Sequence, residues 1–141
     1  MTDLWKIQND DAFVKYAESE LRLIGSLYEN GYLFHINTRE VTFINWFYGN
    51  PTCAIISQCE QWAAMGGDSG LTIWKQGATF DIEISGIFKL RQTGPVVIQI
   101  LTDPWCEESA IWELNVLTFY MQKVRSFPDY IDREYADDVI W

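Results

Sequence analysis

Between Leu71 and Leu101, apolar residues recur at every second position, and glycine turns interrupt them at short intervals. Leu71–Lys75 and Thr79–Ser85 flank Gln76-Gly77-Ala78, while Ile87–Gln92 and Val96–Leu101 flank Thr93-Gly94-Pro95. A period of two with turn residues between the runs is the pattern of antiparallel strands joined by hairpins. The spacing therefore predicts a four-stranded meander, with Val96–Leu101 its most buried strand. Upstream, Tyr32–Asn37 and Val41–Tyr48 alternate about Asn37-Thr38-Arg39-Glu40, which predicts a separate hairpin.

Three other segments carry helical signals. Phe13, Ala17, Leu21, Ile24 and Tyr28 recur at three- and four-residue spacing, with Asn9 or Asp10 as cap and Asn30-Gly31 as stop. Asn50-Pro51 opens and Gly66-Gly67 closes a second segment, in which Ile55, Cys59 and Trp62 would share a face. In the third, Asp103 caps, Pro104 takes the first position, and Lys123 and Arg125 fill the last turn before Pro128. Its apolar stripe is Ala110, Leu114, Leu117, Met121 and Val124. The expected fold is a single α+β domain over residues 1–141, a hairpin plus a four-stranded meander packed by two or three helices. An acidic, aromatic segment, 126–141, completes it.

Composition bounds the partners. Twenty acids against ten bases give a formal charge of −10. Such a field repels phosphate backbones and anionic lipid surfaces, so neither nucleic acid nor membrane is an expected partner. It suits a basic one. Three irregularly spaced cysteines are no disulfide framework, no run is long enough to span a bilayer, and the first residues lack the order of a secretory signal. A soluble cytoplasmic protein is expected.

The residues that could carry chemistry fall away one by one. Gly67-Asp68-Ser69-Gly70 resembles the segment around the nucleophilic serine of chymotrypsin-like serine peptidases. That serine needs a base and an orienting acid, and the chain's single histidine, His35, has no such context. A glycine-rich turn joining a helix to a strand is the expected role. His35 is expected to be half-buried with a hydrogen-bond partner. Cys53 and Cys59 are expected as core residues, and Cys106 as a packed thiol near a helix start. Asp81 and Glu83 project from one strand face, where Lys89 and Arg91 on the neighbouring strand would pair with them. No phosphate-binding loop, metal-ligand spacing or cofactor motif is present, so neither metal nor cofactor is expected.

Binding rather than catalysis is left. Seven tryptophans are more than so short a chain readily buries, and Trp5, Trp46, Trp74 and Trp141 are expected at the surface. The last residues interleave acids with rings: Asp129, Tyr130, Asp132, Glu134, Tyr135, Asp137, Asp138 and Trp141. With Asp81 and Glu83, they are the expected contacts for a basic protein partner, steered by charge and anchored by rings. A final helix tied down by Ile131, Tyr135 and Val139 is the plainer alternative for this segment. The expected function is occlusion of a basic intracellular partner by a monomer in a one-to-one complex. A bacterial immunity protein acting on a toxin or nuclease domain is its most plausible form. A dimeric acidic secretion-type chaperone is the alternative, and a small enzyme using Cys106 or His35 a weaker one.

Overall fold

The computed structural model describes residues 3–141. Twelve strands follow a six-residue 3-10 helix, Leu4–Asn9. They form three four-stranded antiparallel sheets, each a meander of consecutive strands. Sheet 1 contains β1 (Phe13–Glu18), β2 (Arg22–Leu27), β3 (Asn30–His35) and β4 (Glu40–Trp46). Sheet 2 contains β5 (Pro51–Ile56), β6 (Trp62–Gly67), β7 (Leu71–Lys75) and β8 (Ala78–Ile82). Sheet 3 contains β9 (Ile87–Gly94), β10 (Val97–Thr102), β11 (Ala110–Asn115) and β12 (Met121–Ser126).

The fold is thus nearly all β, which overturns the α+β expectation. All three expected helices are strand pairs: β1–β2, β5–β6 and β11–β12. The reason lies in how the sheets stack. Sheet 2 lies between the other two, so its strand β6 is apolar on both faces and shows no polar alternation. In β6 every residue is buried. Ala63 and Met65 face Ile24, Leu33 and Ile44 of sheet 1. Trp62 and Ala64 face Leu90, Ile98, Ile100 and Leu114 of sheet 3. The expected helix caps are turns: Asp103 Oδ1 accepts from Trp105 N at 3.0 Å, and Asp10 Oδ1 from Ala12 N at 2.8 Å. An Asx turn and a helix N-cap use the same carboxylate–amide bond, so sequence alone does not separate them.

The strands from Leu71 to Leu101 are where the alternation puts them, but they do not make one meander. β7 and β8 close sheet 2, and β9 and β10 open sheet 3. Between them the chain crosses from an outer to an inner strand. β5 lies beside β1, β2 and β9, so the first strand of each sheet is innermost. Polar bonds tie this inner rim: Tyr16 Oη donates to Pro51 O at 2.7 Å, and Thr52 Oγ1 to Ile87 O at 2.7 Å. Four-stranded meanders repeated around a common centre, first strands inward, are the blades of a propeller.

Each outward sheet face has its own cover. On sheet 1, Trp5 of the 3-10 helix meets fully buried Phe34 edge-on at 5.9 Å, and Phe13 meets it at 5.6 Å. On sheet 3, Phe127 and Val139 pack with Leu101 and Ile111, joined by Phe88, Trp105, Tyr130 and Trp141. Residues 127–141 therefore lie on sheet 3 as turns and extended chain rather than as a final helix. Among the described residues, no helix is long and apolar enough to cross a membrane.

Candidate functional site

The antiparallel order sends alternate loops to opposite ends of the stack. At one end lie the loops after β2, β4, β6, β8 and β10. They contain Glu29, Asp68, Glu83, Asp103, Glu107 and Glu108, and no Lys, Arg or His. The loops at the other end hold Glu20 and Glu60 with Arg39. There Glu60 is engaged: it accepts from Ser19 Oγ and from Leu21 N, and lies 3.9 Å from the Arg22 guanidinium. At the acidic end Glu29 accepts from Gly49 N and Asp103 from Trp105 N, but among the described residues none of the six loop acids is ion-paired.

Both ends are concave: at the other, a cavity of about 400 Å³ lies beside Arg22, His35 and Glu40, while the acidic end holds three. A cavity of about 570 Å³ between sheets 2 and 3 is lined by Asp68, Glu83, Asp103, Cys106, Glu108 and Trp112 among others. It shares Asp68, Gly86 and Asp103 with a second cavity of about 440 Å³, walled by Phe88, Trp105 and Tyr135. A third, of about 240 Å³, lies between sheets 1 and 2 beside Trp46, Ser69, Asp81 and Glu83. Shared lining residues make the three a continuous acidic groove. Tyr28, Trp46, Tyr48 and Tyr135, all more than half exposed, add aromatic surface at this end and in the adjoining tail.

The residues expected from sequence divide. Asp81 and Glu83 both line the groove, but their expected partners do not face them. β8 pairs with β7, and Lys89 and Arg91 lie on β9 of another sheet. Asp81 Oδ1 instead accepts from Asn45 Nδ2 and Thr72 Oγ1, both at 3.1 Å, linking sheet 1 to sheet 2. Arg91 stacks 3.9 Å from the centre of the Trp141 ring and donates to Trp141 O at 2.6 Å. Trp141 is therefore a half-buried clamp on sheet 3.

Tyr130 is likewise structural: it stacks on Phe127 at 5.9 Å, and its hydroxyl accepts from Ile140 N. Tyr135 remains at the surface, stacked on Trp105 at 4.9 Å, its hydroxyl donating to Asp137 Oδ1 at 2.7 Å. That bond holds its phenol pKa above the ordinary value. Asp129 lies 3.9 Å from Arg125, and Asp132, Glu134 and Asp138 are exposed. Of the four tryptophans expected at the surface, Trp46 is exposed, Trp5 and Trp141 are half-buried, and Trp74 is buried.

The other candidates for chemistry are dispersed. Asp68-Ser69-Gly70 is a turn between β6 and β7, with Gly67 N bonded to Gly70 O at 3.0 Å. It joins two strands, not a helix and a strand. His35, at the opposite end, bonds Thr42 Oγ1 through Nε2 at 2.8 Å and lies 5.3 Å from the Trp74 ring. Burial, helped by the Arg22 charge and opposed by Glu40, holds its pKa below the ordinary value. Among the described residues, no three His, Cys, Asp or Glu are grouped to hold a metal ion.

The cysteines differ from expectation. Cys53 is buried, and desolvation pushes its thiol up to about 11. Cys59 and Cys106, expected to be packed, are exposed, and the hydrogen bond with Ser57 leads in lowering the Cys59 pKa. A thiol-disulfide reagent at pH 8 is accordingly expected to modify two cysteines in the native protein and three after denaturation. Fast labelling of three in the native state would contradict the burial of β5.

Four residues of the groove carried no binding signal in the sequence. Asp68 belongs to an expected turn and Asp103 to an expected cap, and neither Phe88 nor Trp105 stands out from the other rings. Nothing local foretells that the β6–β7, β8–β9 and β10–β11 loops meet.

No protein-family model matches the sequence, and no curated protein matches it at a significant level. Among solved structures, the N-terminal domain of Nup159 is similar, with a TM-score of 0.52 at 9% identity. The match covers 85% of this chain and 32% of that one, so the chain spans about a third of its neighbour's length. At this identity the likeness concerns fold alone, and that fold is a β-propeller, in keeping with three four-stranded blades.

Proposed function

We propose that this chain is a non-catalytic binding protein that occludes a basic protein partner with its acidic loop end. The observation that carries this reading is the segregation of charge: six acids and no base in the strand-joining loops of that one end. A groove lined by these acids, with exposed rings beside it, combines long-range attraction with apolar anchorage. Its most specific form is a cytoplasmic immunity protein, a monomer covering a basic toxin or nuclease domain in a one-to-one complex.

The test is kinetic. A 20-residue Lys/Arg peptide is expected to associate with the immobilised protein about tenfold more slowly at 0.5 M than at 0.05 M salt, because screening removes the steering field. Reversing Asp68, Glu83 and Asp103 to lysine is expected to slow it comparably at low salt. An association rate indifferent to both would end the electrostatic reading.

A further inference from the structure

The 440 Å³ cavity has a construction that general acidity does not account for. Phe88 meets Trp105 edge-on at 5.3 Å and Tyr135 edge-on at 6.4 Å, while Trp105 and Tyr135 stack on each other at 4.9 Å. The result is a corner of perpendicular rings. The floor is the backbone of Gly86, which donates to Asp68 O at 2.9 Å and accepts from Asp103 N at 2.8 Å. This pairing sets Asp68 and Asp103 on either side of the floor, both lining the cavity. No protein donor bonds the Asp68 carboxylate among the described residues, and one Asp103 oxygen accepts from Trp105 N at 3.0 Å. Lys89 Nζ approaches Phe88 to 5.3 Å from its centroid but does not line the cavity.

We infer that this corner is a socket for one arginine side chain of the partner, a deepening that rests on the basic-partner reading above. A guanidinium is planar, stacks on aromatic faces and offers five donors in a fixed fork. The three rings and two carboxylates that line the cavity match that chemistry, and it is large enough for the whole head group. An ammonium would be drawn by the same charges but would use neither the flat ring surface nor the forked acceptors as fully.

The probe is a five-residue glycine peptide with one central arginine, titrated while the indole N–H resonance of Trp105 is followed by nuclear magnetic resonance. Saturable shifts in the millimolar range are expected, with binding weakened about tenfold or more when citrulline replaces arginine. Tyr135→Ala and Asp68→Asn are expected to abolish the shift, whereas Glu20→Gln, in an exposed loop of the opposite end, leaves it intact. Equal binding of the citrulline peptide, or stronger binding of one carrying trimethyllysine, overturns the arginine assignment. So does retained binding in Tyr135→Ala with Asp68→Asn. If the 20-residue basic peptide binds but the arginine peptide gives no shift at 50-fold excess over the protein, the socket fails and the acidic-end reading stands. If neither binds, both fail.

Discussion

Replacing Gly25 with alanine is expected to cost about 3 kcal/mol, enough to leave a small domain largely unfolded at room temperature in mild urea. Gly25 sits buried in the middle of β2, opposite Lys15 of β1. An added Cβ would overlap both the Val14 carbonyl oxygen and the Phe13 ring. The ring cannot turn away freely, because it is already fitted edge-on against Phe34. Nor can β1 withdraw, since Tyr16 anchors it to Pro51 on the inner rim. The strain therefore passes into the backbone. Gly77→Asn provides the contrast. Gln76 and Gly77 form the two-residue β7–β8 turn with φ of 52° and 77°, as a type I′ hairpin requires, and open space surrounds the glycine. Asparagine tolerates that backbone, so this variant is expected to stay within about 1 kcal/mol of the parent. Urea titration compares the two directly. A Gly25→Ala midpoint close to the parent's would mean that β1 is not held against β2 in this register.

Phe127→Ala is expected to be the most damaging change outside the sheets, at about 4 kcal/mol. Phe127 is fully buried against Leu101 and Ile111, and Tyr130 stacks on it. Removing the ring undermines the whole cover of sheet 3, and with it the placement of Tyr135 beside Trp105. The expected signature has two parts, a lower thermal midpoint and loss of the Trp105–Tyr135 stacking signal in near-ultraviolet circular dichroism. Protease cleavage within residues 128–138 is expected to accelerate as well. A variant with the parent's midpoint and spectrum would show that the tail is held by Val139 and Trp141 instead.

How much of this was legible depends on where each strand lies. The hairpin of β3 and β4 and the strands from Leu71 to Leu101 announce themselves because alternation or glycine turns mark their limits. In the β7–β8 turn the glycine marks the reversal, although Ala78, expected in the turn, already pairs with Lys75. By contrast, Trp62-Ala63-Ala64-Met65-Gly66-Gly67 is apolar throughout, because sheet 2 is covered on both sides. Its neighbours, Cys53 and Ile55, fit a helical face equally well. Asp103-Pro104 begins an Asx turn with the same residues that begin a helix. The acidic balance is readable from composition, and Asp81, Glu83 and Tyr135, expected as partner contacts, line cavities at the acidic end. Asp68, Asp103, Phe88 and Trp105 are not readable as contacts, because two loops and strand β9, from two different sheets, bring them together. Tyr130 and Trp141 look like free anchors in sequence and are used to fasten the tail.

The different ways in which the sheets are covered set an order of opening. Backbone amides of β6, sealed between two other sheets, exchange with solvent only when the whole stack comes apart. A cover of turns and extended chain, such as residues 127–141, belongs to the low-energy end of that hierarchy. The socket therefore joins two regimes: Asp68 follows directly from β6, whereas Tyr135 rides on the tail. Amides of residues 128–138 are accordingly expected to exchange faster than those of β6.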